Sequence, residues 1–389
     1  MAFDFATPVE RRHPEGGFSS QKWHRYPSEV LPLWVADMDF CSPPAVIKAL
    51  EERVAHGVYG YGEVPATLTQ TLCEWSAAHY DWAIDSDWQH WLPGVVPALH
   101  FATLALTRPG DGVLTVAPIY PPFLAVAKRT GRLAQQAMLA APQMSDEPWQ
   151  LNIEAIKAAI TPQTRLLLWC HPHNPTGRVW RREELAPLAE LIEQHDLWVV
   201  SDELHCDLLL DKNARHRPLA AMFPQLAKRT ITLWAPSKTF NLAGLSSACA
   251  VIPDLKVRQR FADACKGLLP DVNVLGLVAA EAAYRDGEPW RQALLEVLRQ
   301  HRATLEAHVA NWPGVYLASP EATYLAWLDM REAGLGDTPY QTLKEQAGVA
   351  LSDGTAFGCP GFLRLNFGTT ASQLGNALAR MDKLLKKEA

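Results

Sequence analysis

Residues 230–245 read TITLWAPSKTFNLAGL, an apolar strand followed by a loop of small residues that carries one lysine. The ammonium of Lys238 is poorly solvated at the end of a strand, and desolvation lowers the pKa of a lysine. A neutral amine in that place can form a Schiff base with a carbonyl. The common alternative is a lysine that extends from the edge of a core into water. The motif alone favours that alternative, whereas the motifs below favour the Schiff-base lysine.

Short apolar runs alternate with amphipathic helical patterns from about residue 44 to about residue 285. Nearly continuous apolar runs are typical of strands covered on both faces. The strands predicted here are Gly112–Ala117, Leu166–Cys170, Leu197–Ser201, Thr230–Ala235 and Ala248–Ile252. A helix is predicted at Glu183–His195, where leucines recur on one stripe. This alternation predicts an α/β domain with a mostly parallel sheet, whose ligands bind at the carboxyl ends of the strands.

The pattern changes after residue 285 to that of a smaller α+β domain. The predicted helices are Glu288–Asn311 and Ser372–Lys386, and the predicted strands are Val315–Ala318, Tyr324–Leu328, Val349–Leu351 and Phe362–Asn366. We therefore predict three parts: an N-terminal segment at 1–44 that joins the small domain, a large domain at 45–285 and a small domain at 286–389.

The composition argues against several classes of protein. The chain has 389 residues, 48% of them hydrophobic. A chain of this length is too long to form one compact core. Its formal net charge of −6 argues against nucleic acid or an anionic membrane surface as a partner. Seven scattered cysteines without a Cys-x-x-Cys pair are typical of reduced thiols. No stretch has the character of a signal peptide or a membrane span, so we expect a cytoplasmic protein.

The side chains that follow the predicted strands suit one cofactor. Lys238 is a candidate anchor for pyridoxal 5′-phosphate (PLP), whose pyridine nitrogen needs a carboxylate partner. Asp202 directly follows a buried strand and fits that role, although aspartate also favours the N-cap of a helix. Asn174, in the loop His173–Gly177, can donate a hydrogen bond to the phenolic oxygen of PLP, although Asn-Pro-x-Gly is also a common turn.

Two further groups suit the phosphate and the ring of the cofactor. The glycine loop Pro93–Pro97 has a proline at a predicted first helical position, so the backbone amides of Val95 and Val96 can bind phosphate at a helix start. Ser237 can add a hydroxyl, and an ordinary loop before a helix is an equal alternative. Tyr120, which follows a predicted strand, can stack on the ring or belong to the core.

One arginine interrupts an otherwise apolar strand. Arg364 lies within Phe362–Gly368, and a charged side chain in such a place rarely lacks a partner. A guanidinium matches a carboxylate with two parallel hydrogen bonds. We therefore predict that Arg364 binds the α-carboxylate of the substrate; an incidental charge on an edge strand is the alternative.

Taken in order, these motifs resemble those of fold-type I PLP enzymes, the superfamily of aspartate aminotransferase and the class I/II aminotransferases. Along the chain they are Tyr120, Asn174–Gly177, Ser201–Glu203, Ser237–Lys238 and Arg364. The resemblance implies a large α/β domain with a mostly parallel sheet of the seven-stranded type flanked by helices, plus a smaller α+β domain. It also implies a homodimer with shared active sites, in which Tyr61 of the second subunit reaches the phosphate and the substrate. For Tyr61 the alternative is a surface turn.

Within that superfamily the chain resembles the MalY/PatB type of cystathionine β-lyase, a cysteine-S-conjugate lyase. The stretch Leu33–Phe40 matches the N-terminal signature of that group, which implies that Ala36 contacts the substrate. His205 stands three residues after the ring-nitrogen aspartate, where aminotransferases usually carry tyrosine, and is implied to lie near the phenolic oxygen of PLP. Ser246 stands eight residues after the lysine, where aminotransferases commonly carry a phosphate-binding arginine. Tyr324–Asp329 also resembles this lyase group.

The reaction that the resemblance implies is α,β-elimination of L-cystathionine or a related L-cysteine S-conjugate. It releases a thiol (homocysteine from cystathionine, a step of methionine biosynthesis), pyruvate and ammonia. In it, Lys238 removes the Cα proton as general base and Arg364 binds the α-carboxylate. Tyr120 or Tyr61 assists the departure of the thiolate.

Two other functions remain open from the sequence. An amino-acid aminotransferase would use the same lysine and depend on a keto acid. A regulator or binding protein with the PLP fold would turn over thioethers slowly. We predict no metal site, because the spacing of His171 and His173 is not that of zinc ligands. Trp34 and Trp327 suggest apolar walls of the substrate pocket.

Overall fold

The computed structural model of the chain describes residues 3–12, 20–142 and 147–386. Its strands are β1 (Leu31–Pro32), β2 (Gln89–Leu92), β3 (Gly112–Ala117), β4 (Leu133–Met138), β5 (Thr164–Cys170), β6 (Trp198–Asp202), β7 (Thr230–Trp234), β8 (Ala248–Val251), β9 (Tyr316–Leu317), β10 (Leu325–Asp329), β11 (Val349–Ala350), β12 (Ser352–Asp353) and β13 (Phe362–Asn366). Its helices are α1 (Gln21–His24), α2 (Pro44–Ala55), α3 (Ala66–Tyr80), α4 (Val95–Leu106), α5 (Pro121–Arg129), α6 (Ile153–Ala159), α7 (Arg182–Gln194), α8 (Leu219–Met222), α9 (Leu255–Cys265), α10 (Val274–Asp286), α11 (Glu288–Val309), α12 (Pro339–Thr342) and α13 (Ala371–Leu385). Within the described ranges, none of the helices has the length and apolar character that crossing a bilayer requires.

The central sheet has seven strands in the order β2-β8-β7-β6-β5-β3-β4. Strand β8 is antiparallel to both of its neighbours, and the other pairings are parallel. A parallel neighbour needs a crossover that usually contains an α-helix. The connection from β7 to β8 holds only a short 3₁₀ turn, so β8 returns antiparallel. The predicted mostly parallel, seven-stranded α/β sheet is confirmed.

The inner strands are apolar throughout because helices cover both faces of the sheet. Val113 and Leu166 belong to the core cluster that includes residues of α4, α5 and α9. Leu114 and Leu167, one position further along the same strands, belong to the cluster that includes residues of α6 and α7. Neighbouring residues of one strand thus belong to two different cores. This is why the sequence of each inner strand is a continuous apolar run and not an alternation of apolar and polar residues.

Two edge strands of this sheet were not predicted. Strand β4 reads LAQQAM and is largely exposed, and β2 reads QHWL. An edge strand is covered less than an inner one, so its sequence carries no continuous apolar run to mark it. The bounds of the predicted strands are off by at most two residues; β5 begins at Thr164, and β6 extends to Asp202.

A second, antiparallel sheet has the order β12-β13-β10-β9. Strand β13 has the predicted bounds, whereas the predicted helices α11 and α13 end earlier, at Val309 and Leu385. Within this sheet Arg364 lies on β13 between Trp327 of β10 and Ser352 of β12. The predicted arginine is therefore on an inner strand and not on an edge.

The N-terminal segment connects the second sheet to the loop of Lys238. Strand β1 pairs with β11, and the side chain of Asn366 donates to the carbonyls of Val35 and Asp37, at 2.6 Å each. On the other side, the Asn241 side chain accepts from the Met38 N–H at 3.0 Å. The division into parts at residues 44 and 285 stays a prediction, and residues 1–2, 13–19, 143–146 and 387–389 lie outside the described ranges.

A group of buried charges fixes this segment in place. The ammonium of Lys22 is buried and lies 2.7 Å from the carboxylate of Asp39. The guanidinium of Arg11 lies 2.8 Å from Asp39 and 2.9 Å from Asp37. Although burial opposes it, these cations lower the pKa of Asp39. The charges compensate one another, which is what permits them to be buried.

Candidate active site

A cavity of about 620 Å³ lies at the carboxyl ends of β5, β6 and β7. It is also lined by residues 34–36 and by the second sheet, so distant parts of the chain close it. The sequence-predicted residues that line it are Ala36, Val95, Val96, Tyr120, Asn174, Asp202, His205, Ser237, Lys238 and Arg364. Trp34, predicted as a wall of the pocket, lines it as well, whereas Tyr61 and Trp327 do not.

Lys238 follows β7 and extends into the cavity. Its Nζ donates a hydrogen bond to the carbonyl of Ala36 at 2.6 Å, and the hydroxyl of Tyr324 donates to the same carbonyl at 3.1 Å. Burial, and then the nearby charge of Arg364, lower the pKa of Lys238 to about 8. A substantial fraction of the amine is therefore neutral near physiological pH, as nucleophilic or basic chemistry requires.

Asp202 is the last residue of β6 and is buried. Burial raises its pKa to about 7, against the effect of a hydrogen bond from the Leu204 N–H at 3.1 Å. No helix begins here, so the N-cap alternative is wrong, and the carboxylate forms no ion pair within the described part of the chain. A buried carboxylate in this state suits a cationic ligand group, because a positive charge opposite it removes the cost of ionisation.

His205 lines the cavity and is neutral. Burial, and then the charges of Lys238 and Arg364, lower its pKa to about 3. Its ring packs against Tyr324 with a centroid distance of 6.3 Å, and its Nδ1 has no hydrogen-bond partner. The histidine is therefore neutral, and it does not add a positive charge to those of Lys238 and Arg364. Its Nδ1 remains without a hydrogen-bond partner.

Arg364 is buried and points from β13 to the cavity. Its guanidinium donates to the Asn174 side-chain oxygen and to the Trp34 carbonyl, both at 3.0 Å, and stacks over Phe357 at 4.9 Å. Burial lowers its pKa to about 10. It forms no ion pair with any acidic side chain of the described ranges, and its Nε is unpartnered. A buried guanidinium without a carboxylate is a site for an anionic ligand.

The start of α4 forms an anion-binding loop. The helix begins at Val95 without a side-chain cap, after Gly94 with a φ of 148°. Pro97 is the third helical residue and not the first, as predicted, but it still lies in the turn where a missing N–H costs nothing. Free backbone amides at a helix start bind phosphate. Ser247, which also lines the cavity, has a buried hydroxyl without a hydrogen-bond partner. This hydroxyl is a further potential donor to a phosphate.

Tyr120 lies immediately before α5 and lines the cavity while packing against both core clusters. Burial raises the pKa of its phenol. The hydroxyl therefore stays protonated at neutral pH, and both predicted uses of the ring, packing and facing a ligand, are compatible with its position.

Two predicted residues lie outside the cavity. Tyr61 is fully exposed in the single chain, so its predicted role needs a second subunit and stays a prediction. Trp327 is buried between Phe357 and Phe362, and it lines a separate surface pocket. The interpretation of Trp327 as a wall of the substrate cavity is therefore wrong, because the ring of Phe357, which lines the cavity, packs against Trp327, whereas Trp327 itself lines the other pocket.

Sequence reasoning missed several residues that line the cavity. They are Arg25, Tyr26, Tyr340, Ser352, Asp353 and Phe357. None of them lies in a motif or directly after a strand of the central sheet, so no local signal marks them. His171 and His173 lie at the end of β5, and the described residues hold no group of three or more possible metal ligands.

This chain is similar to one protein family and to several known proteins. The profile of the family described as aminotransferase class I and II matches residues 28–381. Cystathionine β-lyase PatB of Bacillus subtilis is 36% identical over 388 residues, which cover 97% of this chain and 99% of that protein. The crystal structure of OvoB has a TM-score of 0.94 at 40% identity and covers 100% of both chains. Cystalysin from Treponema denticola, solved with a PLP cofactor, has a TM-score of 0.92 at 31% identity, with 99% of each chain covered.

Proposed function

The chain belongs to the aminotransferase class I and II family, and we propose that it is a PLP-dependent carbon–sulfur β-lyase acting on L-cysteine thioethers such as L-cystathionine. The fold is the fold-type I PLP-dependent fold of this family. Full-length similarity to a cystathionine β-lyase and to the PLP-containing structure of cystalysin supports this function. The main structural support is that Arg364 is buried in the same cavity as Lys238 and has no carboxylate partner among the described residues.

The residues around the cavity fit PLP. Lys238 would bond to its aldehyde carbon, and Asp202 would face the ring nitrogen, where a protonated pyridine supplies the missing positive charge. Asn174 would lie near the phenolic oxygen and Tyr120 against the ring. The phosphate would take the amides at the start of α4 and the hydroxyl of Ser237. When bound, PLP supplies an electron sink next to the Cα of the amino acid.

Arg364 binds and orients the substrate. Its two outer nitrogens already hold the plane of the guanidinium through Asn174 and Trp34. An α-carboxylate that docks on it replaces water at a buried cation, and such charge-assisted bonds are strong and directional. Fixing the carboxylate places the Cα–H near the amine of Lys238, which is what positioning contributes to rate.

Lys238 moves the proton. Its Nζ, neutral in part because its pKa is about 8, removes the proton from Cα. The carbonyl of Ala36, which accepts from Nζ, holds the amine in place when it is not bonded elsewhere. Thiolate is a good leaving group, so departure from Cβ requires no strong acid, and the protonated phenol of Tyr120 can donate a hydrogen bond to it.

Two positions favour elimination over amino transfer. His205 and Ser246 stand where aminotransferases usually carry tyrosine and arginine, and Ser246 lines the cavity as a neutral residue. The proposal also includes a homodimer in which Tyr61 of one copy completes the site of the other. A cytoplasmic location and a role in methionine biosynthesis belong to the same proposal.

Release of thiol and pyruvate tests the function. The PLP-loaded protein should release equal amounts of pyruvate and homocysteine from L-cystathionine, at a rate that does not depend on an added keto acid. Turnover that requires a keto acid and leaves the C–S bond intact would instead identify an aminotransferase. Very slow turnover of every thioether together with a tightly bound protein partner would favour a regulator.

A further inference from the structure

Two charged side chains at the rim of the cavity have no part in the proposed reaction. The aspartate, lysine and arginine side chains among the described residues that line it are Arg25, Asp202, Lys238, Asp353 and Arg364. Three of these serve the cofactor, the proton transfer and the α-carboxylate. The two that remain, Arg25 and Asp353, have opposite charges.

Arg25 is a cation held in a defined orientation. Its guanidinium stacks over the ring of Trp34 at 4.6 Å from the centroid and lies 5.9 Å from that of Tyr26. It forms no ion pair with any acidic side chain in the described residues. Arg25 also interacts with the hydroxyl of Tyr26, which uses at most part of its five N–H donors. Stacking fixes the plane of the guanidinium, so less entropy is lost when an anion binds to the donors that remain.

Trp34 connects this cation to the α-carboxylate site. Its backbone carbonyl accepts hydrogen bonds from Arg364 at 3.0 Å and from Ser352 at 2.6 Å, whereas its ring carries Arg25. One residue thus separates the two guanidinium groups along the wall of the cavity. A sulfur substituent that extended from a substrate at Arg364 along Trp34 would therefore reach the vicinity of Arg25.

We propose that Arg25 is a specificity residue that binds a carboxylate at the far end of the thioether. The site would then prefer substrates whose leaving thiol carries a carboxylate group. The inference rests on the proposed lyase function. Asp353 adds to it when the far end is an amino acid. Its Oδ1 accepts from the Thr355 N–H at 3.0 Å, which leaves the other carboxylate oxygen for an ammonium.

A matched pair of substrates tests the carboxylate. S-(3-Carboxypropyl)-L-cysteine and S-butyl-L-cysteine differ only in a terminal carboxylate or methyl group. We expect the parent enzyme to prefer the acid by about tenfold in kcat/KM, the effect of one good charge-assisted hydrogen bond. Arg25→Gln should remove this preference and leave the S-butyl substrate within about twofold, and Arg25→Lys should keep part of it as a point charge.

The control is an arginine that also stacks over a tryptophan but lies away from the cavity. Arg260 is exposed and stacks over Trp198, at the opposite end of β6 from Asp202. Arg260→Gln should leave both kcat/KM values unchanged. For the ammonium, Asp353→Asn keeps the oxygen that accepts from Thr355. It should lower kcat/KM for L-cystathionine but not for S-(3-carboxypropyl)-L-cysteine.

Binding without turnover separates this inference from the proposed function. Calorimetry of the PLP-loaded protein with L-2-aminooctanedioate and L-2-aminooctanoate compares the same two end groups on uncleavable chains. Tighter binding of the diacid that is lost in Arg25→Gln supports the inference even if no thioether is cleaved. Equal affinities in the parent, or a difference that survives in Arg25→Gln, overturn it. Absence of pyruvate from both thioethers overturns the lyase function alone.

Discussion

Burial moves the pKa values of Lys238 and Asp202 toward each other. That of the lysine falls to about 8 and that of the aspartate rises to about 7, in both mainly because the charged form is desolvated. Both groups therefore change protonation near neutral pH, the range in which a general base is effective. Until a ligand supplies the opposite charges, the same burial lowers the stability of the folded chain.

Removing the amine of Lys238 should abolish the reaction. We expect Lys238→Ala to lower pyruvate release from L-cystathionine by about a thousandfold, within the range that a general base contributes. Lys256→Ala, on the exposed face of α9, serves as the control and should retain parental activity. Pyruvate release by Lys238→Ala at the parental rate would show that another group removes the proton.

Asp202→Asn should stabilise the apoprotein in a pH-dependent way. The folded state keeps the proton of Asp202 up to a pKa of about 7, whereas the unfolded chain loses it near its ordinary value. The parent therefore loses stability as pH rises toward 7, and the asparagine variant does not. The gain in unfolding free energy should grow by about 2 kcal/mol from pH 5 to pH 8 in urea titrations. The surface variant Asp263→Asn should show no such growth; a constant difference for Asp202→Asn would contradict the shift.

At the scale of elements, predictability depended on whether a side chain follows a strand of the central sheet. Asn174 and Lys238 follow β5 and β7, and Asp202 is the last residue of β6. Parallel strands end at one edge of a sheet, so the convergence of these residues was predictable from topology. Arg25 and Asp353 reach the cavity only because β1 pairs with β11 and β12 pairs with β13. Such short pairings carry no periodic signal, so no sequence pattern indicated them.

The buried pair Lys22–Asp39 should hold the segment that carries Ala36. Lys22→Met leaves a buried carboxylate with fewer partners, and we expect a loss of about 3 kcal/mol in unfolding free energy. Lys48→Met breaks the exposed pair Lys48–Glu52, at 3.9 Å, and should change stability by less than about 0.5 kcal/mol. Urea unfolding of both variants measures the difference. Equal effects would show that the buried pair does not stabilise the segment.

At the scale of the whole molecule, the stretch around Tyr61 is unusual. Val58, Tyr59 and Tyr61 are large apolar or aromatic side chains, and all are exposed in the single chain, Tyr61 fully. Contiguous exposed apolar groups mark interaction surfaces. The proposed homodimer would cover this stretch and bring Tyr61 to the cavity of the other copy. Sedimentation should then give twice the 43.1 kDa mass of one chain.

Mixed dimers test whether Tyr61 acts across the interface. We expect Tyr61→Ala and Lys238→Ala dimers each to be strongly impaired. A dimer with one chain of each kind contains one site with both changes and one intact site, so co-expression should restore about a quarter of the parental activity at random pairing. If Tyr61 acted within its own chain, every site would carry one change and co-expression would restore nothing.

The hydrogen bonds from Arg364 and Asn366 to the carbonyls of Trp34, Val35 and Asp37 join the two ends of the chain across the cavity. During synthesis, the wall beside Lys238 therefore lacks these hydrogen bonds until β13 has emerged from the ribosome. If Lys238 binds PLP as proposed, the complete site for the cofactor would form only after β13 has been synthesised. A chain truncated before residue 366 would contain Lys238 but not the complete wall around it.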